Sequence, residues 1–168
     1  MTSVTTAAPA TRRRWVLPAS LRKALLCLHI VASVALLGDS AGFLAIAIRS
    51  AGAEPAAASA GWDTLNMFSM VFGIPLSAVT LVSGVVLGLG STWGVFRYPW
   101  VTTKLLLIVG VMAVGGLVIG PGLELARQGV ATGVAMLIGG ATYDVSALLV
   151  STVLSVYKPG RRWAWARR

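Results

Sequence analysis

Four long apolar segments, separated by short polar stretches or by stretches with glycine and proline, dominate the pattern of the chain. The apolar segments cover residues 24–48, 67–89, 101–119 and 136–157. The length of each segment is close to that needed to cross a hydrocarbon core of about 30 Å, which for an α-helix is about 20 mostly apolar residues. Because lipid offers no hydrogen-bond partner to backbone amides and carbonyls, each segment is predicted to be helical. The pattern therefore predicts an all-α membrane domain over residues 23–157, a four-helix transmembrane bundle with up-down-up-down topology.

The composition agrees with a membrane protein. Of the 168 residues, 57% are hydrophobic and 11% are charged, against about 25% charged in an average soluble domain. A mean hydropathy of +0.83 excludes an ordinary water-soluble protein. The single cysteine, Cys27, cannot close a disulfide within the chain. The sequence also lacks a glycine-rich phosphate loop, a nucleophile elbow and a Cys-x-x-Cys pair, so catalysis of the kinds found in soluble enzymes is not predicted.

The distribution of lysine and arginine predicts the orientation of the bundle. Twelve of the 14 basic residues lie before the first helix, around the connection between the second and third, or after the fourth, whereas Arg49 and Arg127 lie on the other side. Because basic loops stay in the cytoplasm, residues 1–22 and 158–168 are predicted to be cytoplasmic tails of a multi-pass protein of a bacterial plasma membrane. Trp62 is expected at the outer membrane interface.

The two basic tails each have a second interpretation. Residues 11–17 resemble a twin-arginine export signal, but the apolar segment that follows is too long for one and three further spans come after it. A cytoplasmic anchor is therefore the preferred interpretation. Residues 161–168 combine arginine with tryptophan, as nucleic-acid-binding segments do. Directly after a transmembrane helix they are expected to lie on anionic lipid headgroups, so the bilayer is the predicted partner and nucleic acid is not.

Glycine and proline positions predict where the helices approach one another and where they bend. Glycines four residues apart occur in three of the four spans: Gly38 with Gly42, Gly84 with Gly88, and Gly116 with Gly120. Such pairs let helix backbones approach closely, which predicts packing within the bundle and leaves a homo-oligomer as the alternative. Pro75 lacks an amide hydrogen and is predicted to kink the second helix, which would open a cavity or improve packing.

Four ionisable side chains, His29, Asp39, Lys104 and Asp144, fall at membrane depth. A charge at that depth is costly unless it has a partner or a function. At about 1.5 Å per residue, His29 and Lys104 lie about 7 and 6 Å from the inner ends of their helices. Asp39 and Asp144 lie about 22 and 20 Å from the inner ends of theirs. The four side chains are therefore predicted to form an inner layer of His29 and Lys104 and an outer layer of the two aspartates.

The outer layer suggests acid–base chemistry. Asp39 and Asp144 belong to the first and fourth helices, which are neighbours in this topology, so their carboxyl groups are predicted to approach each other. Two carboxylates in a low dielectric cannot both be ionised cheaply, which predicts a shared proton. The functional hypothesis is an acid–base enzyme or a proton-coupled carrier for a lipophilic small molecule. The alternative is a structural pair that is hydrogen-bonded to the backbone, Ser40 or Tyr143.

The inner layer suggests a cofactor site. His29 is the only histidine, and an inward-facing imidazole is a ligand for haem iron or copper. Four methionines are candidates for the second ligand: Met67, Met70, Met112 and Met136. The alternative is a structural histidine bonded to a hydroxyl such as that of Thr103, because one histidine alone is a weak metal-ligand set. Lys104 is predicted either to face this site or to reach the cytoplasmic headgroups with its long side chain.

Several short segments, taken together, resemble a family of small actinobacterial integral membrane proteins. They are Leu28-His29-Ile30-Val31, the run from Ser83 to Gly94, Trp100-Val101-x-x-Lys104-Leu105, and the run from Leu154 to Pro159. More distantly, a histidine in the first helix and Trp-x-x-x-Lys-Leu at the start of a later one are similar to HemJ-type protoporphyrinogen oxidases and to the membrane domain of CopD-type copper-resistance proteins. This resemblance implies haem b, with His29 as its ligand and Lys104 as a cation on the substrate side.

The sequence thus predicts a small membrane protein with a site centred on His29 and Lys104 inside the bundle. This site is predicted to bind a haem, porphyrin or metal, or to take part in its oxidation and reduction. One alternative is an acid–base enzyme or proton-coupled carrier that uses Asp39 and Asp144, with Lys104 as a further catalytic candidate. The other alternative is an accessory membrane subunit whose polar groups only set the helix register. Whether the protein is an enzyme stays open at this point.

Overall fold

The computed structural model describes residues 18–90 and 98–158, which form a bundle of four long helices. The helices are α1 (Ala19–Ala51), α2 (Pro55–Leu89), α3 (Pro99–Arg127) and α4 (Ala131–Tyr157). All four are long and apolar enough to cross a membrane, and the described residues contain no strand. The predicted all-α four-helix bundle is therefore confirmed. Most of both basic tails lies outside the described residues.

The helices form a closed ring in which α1 packs against α2 and α4, and α3 packs against α2 and α4. Two short connections, residues 52–54 and 128–130, lie at one end of the bundle, which we call the loop end. The opposite end, where the described residues begin and finish, is the terminal end. Gly129 has a φ of +77° in the second connection, a backbone conformation that favours glycine. The contact between α1 and α4 makes neighbours of the helices that carry Asp39 and Asp144.

The helices α2 and α3 extend further toward the loop end than the apolar pattern predicts. α2 begins at Pro55 rather than near residue 67, because proline is well tolerated in the first turn of a helix. α3 continues through Gly120-Pro121-Gly122 to Arg127, a stretch that the sequence pattern assigned to a connection. The predicted connection after the third span is therefore wrong, and helix packing overrides the local glycine and proline signals there.

A single turn of π-helix precedes an internal proline in both α2 and α3. The π segments are Ser69–Gly73 and Gly115–Ile119, and Pro75 and Pro121 each lie two residues beyond them. The amide that follows each segment bonds the carbonyl five residues earlier. This wider turn accommodates a proline ring that would otherwise clash with a carbonyl of the preceding turn. A π turn therefore lies beside Pro75, and Pro121 has an equivalent one, while the kink expected at Pro75 stays a prediction.

Two clusters of buried apolar side chains hold the bundle together. The cluster nearer the loop end contains Phe43, Ala47, Trp62, Leu65, Ile119, Leu123, Ala126, Leu137 and Ala141. The other contains Leu36, Ile108, Val111, Ala147 and Leu148. Trp62 is only 5% exposed, so its indole packs within the bundle, and its expected depth at the outer membrane interface stays a prediction. Members of both clusters line one cavity, which therefore lies between them.

The glycines divide into those at helix contacts and those beside open space. A Cβ at Gly133 of α4 would lie 2.6 Å from the carbonyl oxygen of Gly122 in α3, so close approach of these helices requires glycine there. Among the glycines predicted to pack helices together, Gly42 faces Phe68. At Gly116 an added Cβ would have no atom within 4 Å. The expected packing role of Gly116 is therefore wrong, and this residue lines the cavity instead.

Candidate functional site: an acidic cavity between the helices

A cavity of about 500 Å³ lies between the four helices, on the loop side of the second cluster. Much of its wall is apolar and includes Leu36, Phe43 and Val111. Three carboxyl groups also line it: Asp39 from α1 and Asp144 from α4, and the exposed Glu124 of α3 at its loop end. The volume falls within the range of about 300–1,000 Å³ that is typical of small-molecule sites. The cavity is therefore a candidate binding site with an apolar wall and two acidic groups, Asp39 and Asp144, that are withdrawn from the surface.

Both carboxyl groups are withdrawn from the surface. Asp144 is 7% exposed and Asp39 is half-buried. The Oδ1 atom of each is buried and has no hydrogen-bond partner among residues 18–90 and 98–158. Asp39 Oδ2 lies 3.4 Å from the position that a Cβ at Gly73 would take, so this carboxyl faces the π segment of α2. The structure thus brings both predicted residues to one site.

The expected partners of the two carboxyls do not bond them. In the described parts of the chain, no hydrogen bond joins Asp39 to Asp144, or either of them to Ser40 or Tyr143. The phenol of Tyr143 instead packs against Gly110 of α3. The aspartates line the same cavity without forming a hydrogen-bonded pair, and the shared proton stays a prediction.

An unpartnered carboxylate in such a place is energetically costly. Removing an ionised group from water costs several kcal/mol in effect unless an opposite charge or several hydrogen bonds replace the lost hydration. Each aspartate therefore has two states of low free energy. In one it is neutral with a bound proton, and in the other it is ionised beside a cation in the cavity. The cavity can hold such a cation, and its empty space adjoins both groups.

Polar side chains surround the loop end of the cavity. Arg127 of α3 donates a hydrogen bond of 2.8 Å to Asp63 Oδ1 of α2, which ties these helices together. Asn66 and Glu124 line the cavity at the same end. The ion pair is partly exposed, so its contribution is expected to be about 0–1 kcal/mol. The cationic Arg127 thus already has an acidic partner at the rim.

His29 belongs to a separate polar layer near the terminal end. Its Nδ1 lies 2.9 Å from Ser83 Oγ of α2, and that hydroxyl donates its hydrogen to the carbonyl oxygen of Val79. One hydrogen bond thus joins the imidazole of α1 to the hydroxyl of Ser83 in α2. The ring lies against Gly84, where a Cβ would be 3.0 Å from Cε1. The hydroxyl partner of the imidazole is Ser83, not Thr103.

Lys104 has a hydroxyl partner in the same layer. Its Nζ donates to Ser155 Oγ of α4 at 2.6 Å, and this hydroxyl donates to the carbonyl oxygen of Ser151. Lys104 therefore has a hydrogen-bond partner on α4. Both His29 and Lys104 lie toward the terminal end, and each has a serine hydroxyl of another helix as a partner.

The described surroundings of His29 do not identify a haem or metal site. Within the described residues, no group of three or more His, Cys, Asp or Glu side chains is arranged to hold a metal. Met70 and Met112, two of the expected second ligands, line the acidic cavity, and His29 is not among its lining residues. Haem binding by His29 stays a prediction.

Comparisons with family models, with curated proteins and with solved structures give no match. The resemblance to the HemJ-type and CopD-type proteins therefore stays a prediction. The geometry of the acidic cavity is the basis on which a function can be proposed.

The cavity itself could not be predicted from the spacing of residues. Its wall contains both π segments, Ser69–Gly73 and Gly115–Ile119, which are distributed over helices α2 and α3. The available signal was the pair Pro75 and Pro121, each in a glycine-containing stretch. Because Gly-Pro-Gly is typical of a turn, the second member of this pair was assigned to a connection.

Proposed function

We propose that this protein binds and carries a lipophilic cation in the acidic cavity, in exchange for protons on Asp39 and Asp144. One observation carries the proposal: both carboxyl groups line a single cavity, and each has a buried oxygen without a hydrogen-bond partner. Arg127, a cationic side chain among the lining residues, is paired with Asp63 at the loop end, and no salt bridge within the described residues joins a cation to Asp39 or Asp144. A mobile cation or a proton is therefore required.

Exchange of a cation for protons follows from the two low-energy states of a buried carboxyl group. A protonated aspartate is neutral and tolerates an empty apolar cavity. When a cation enters, the ionised form becomes favourable because the opposite charge replaces the lost hydration. Cation binding therefore releases protons, and protonation releases the cation. This reciprocal coupling is the requirement for proton-linked carriage.

The remaining wall selects for lipophilic ligands. Leu36, Phe43, Val111, Ile119 and Leu123 present apolar surface to the cavity. An organic cation with its charge in an apolar frame fits both the acidic groups and the apolar surface.

The polar layer near the terminal end has a structural role in this proposal. His29 and Lys104 are satisfied by Ser83 and Ser155 and do not line the cavity. Each hydrogen bond joins two helices, so the layer holds the helix register beneath the binding site.

Calorimetric titration of the purified protein with tetraphenylphosphonium tests the proposal. We expect saturable binding whose heat depends on the ionisation enthalpy of the buffer, because protons leave the carboxyls. Asp39→Asn and Asp144→Asn should each weaken binding about tenfold, the equivalent of about 1.4 kcal/mol. Asparagine has the same shape as aspartate without the charge, so folding is expected to be preserved.

Two controls make the outcome specific. Glu54→Gln removes an exposed carboxylate at the loop end, outside the cavity lining, and should leave the affinity unchanged. Tetraphenylborate has the shape of the cation with the opposite charge and should not bind. Equal affinity of the wild type and both aspartate variants for tetraphenylphosphonium would overturn the proposal.

A further inference from the structure

The contacts between α2 and α3 lie on both sides of the π segments. Toward the terminal end, Ile74–Leu89 packs against Pro99–Val114, and toward the loop end, Pro55–Phe68 packs against Gly120–Arg127. The two π segments instead pack against α1 and α4, respectively. The helices α2 and α3 therefore separate over about one turn, at the level of the cavity.

Side chains at this separation belong both to the cavity and to the outer surface. Met70 and Ile74 of α2 are 59% and 56% exposed, and Met112 of α3 is 39% exposed. Gly116 of α3 is exposed as well. All four line the cavity. The cavity therefore reaches the surface between α2 and α3, at an opening that we call the lateral window.

The lateral window lies within apolar sequence. Its four residues are all nonpolar, and neighbouring surface residues such as Val71 and Leu117 are 56% and 76% exposed. Surface of this kind in a membrane-spanning helix faces lipid tails. At the loop end, by contrast, the cavity meets Asn66, Glu124 and the ion pair of Arg127. The cavity thus has an apolar side toward lipid and a polar side toward water.

We infer that the ligand reaches Asp39 and Asp144 from the bilayer through the lateral window, so that its class is a membrane-dissolved amphiphilic cation. This inference rests on the proposed function. Asp144 is more than nine-tenths buried, and its unpartnered Oδ1 supports a ligand at the inner end of this path. The apolar part of the ligand remains in contact with nonpolar groups along the path, so entry does not require full transfer into water. Protons and water then reach the cavity through the polar rim at the loop end.

Gly116 offers a direct way to close the lateral window. An added Cβ there has no atom within 4 Å, so a larger side chain starts in open space rather than in a clash. The matched control is Gly139 of α4, which is also exposed, also has no atom within 4 Å of its Cβ position and does not line the cavity. Both substitutions remove a glycine from a helix and add the same side chain.

The test measures association of ethidium, a fluorescent lipophilic cation, with the protein in lipid nanodiscs by stopped-flow fluorescence. Gly116→Phe should slow association about tenfold, a barrier increase of about 1.4 kcal/mol. Gly116→Ala should have a small effect, and Gly139→Phe should associate like the wild type. Dissociation should slow together with association, because the same opening serves both directions.

The outcomes separate this inference from the proposed function. Normal association in Gly116→Phe, with affinity lost in Asp39→Asn and Asp144→Asn, would overturn the lateral window and leave the binding site intact. Slower association in Arg127→Ala, with Gly116→Phe unchanged, would place entry at the loop end and also overturn it. Unchanged affinity in both aspartate variants would overturn the proposed function and this inference together.

Discussion

The polar groups toward the terminal end of the bundle and those beside the cavity differ in their hydrogen bonding. Toward the terminal end, His29 and Lys104 each hydrogen-bond a serine of another helix. Beside the cavity, Asp39 and Asp144 each keep a buried oxygen without a partner among the described residues. Both layers lie in membrane-spanning helices, so the difference comes from the arrangement of neighbouring side chains. Satisfied groups hold helices in register, whereas unsatisfied carboxyls beside open space favour a ligand.

Because of this contrast, substitutions in the two layers are expected to change the free energy of unfolding in different ways. Removing a group that is already paired leaves its partner unsatisfied and lowers stability. Neutralising an unpaired buried carboxyl removes a desolvation cost and leaves stability unchanged or higher. Stability and ligand binding should therefore respond to different residues.

The largest expected effect is the loss of ligand binding when both carboxyls are neutralised. Asp39→Asn combined with Asp144→Asn should weaken tetraphenylphosphonium binding about 100-fold, or about 2.8 kcal/mol, while the unfolding temperature stays the same or rises. The matched pair, His29→Phe with Lys104→Met, should retain binding within about threefold. Titration and thermal unfolding in the same detergent measure both properties. Retained binding in the aspartate pair would remove the distinction between the layers.

The next largest effect is expected where Lys104 loses its hydroxyl partner. Ser155→Ala leaves a partly buried ammonium without this hydrogen bond and should lower the free energy of unfolding by about 2 kcal/mol. In a Lys104→Met background the same substitution should cost little, because no charged donor remains. Unfolding in mixed micelles of increasing denaturing detergent measures both costs. Equal costs in the two backgrounds would contradict a structural role for this bond.

A pH dependence of intermediate size is expected for ligand binding. Protons and the cation compete for the same carboxyls, so lowering the pH weakens binding and raising it strengthens binding, by up to about tenfold per pH unit for each proton released. Titrations of tetraphenylphosphonium across a pH series measure this slope. The double asparagine variant should show a flat profile, and Glu54→Gln should keep the wild-type slope. A flat profile in the wild type would mean that binding is not linked to protons.

The smallest expected effect concerns Thr80, which is an exception among the polar groups near His29. Its Oγ1 is buried and has no hydrogen-bond partner within residues 18–90 and 98–158, and the residue is 7% exposed. Thr80→Val keeps the shape and removes the hydroxyl, so stability should rise by about 0.5–1 kcal/mol. Ser83→Ala, which removes the partner of His29, should lower it by about 1 kcal/mol. Neither change should affect ligand affinity, and a large effect of Thr80→Val on affinity would extend the site to this residue.

The prediction of the site succeeded in part. Counting residues from the helix ends grouped Asp39 with Asp144, and both line one cavity. A hydroxyl such as that of Thr103 was the alternative partner expected for His29, and the partner is the hydroxyl of Ser83. Depth depends only on the rise per residue, whereas the partner depends on how each helix is rotated about its axis.

The prediction of the helices was also correct where local properties decide and wrong where packing decides. The segments near residues 24–48 and 136–157 correspond closely to α1 and α4, since uninterrupted apolar sequence of sufficient length forms a helix in lipid. The Gly120-Pro121-Gly122 stretch was assigned to a connection but continues α3. The π turn that accommodates Pro121 is held by packing against α4, which lies outside the local sequence.

Hydropathy and segment length were enough to determine that this chain folds as four apolar helices, because the energetic cost of an unpaired backbone in lipid acts on every residue regardless of its tertiary neighbours. The positions of the ionisable residues likewise determined their depth. Tertiary packing alone decided that His29 and Lys104 find serine partners and that Asp39 and Asp144 face an open cavity. Those outcomes depend on helix rotation and on the separation of α2 and α3, which are properties of the assembled bundle.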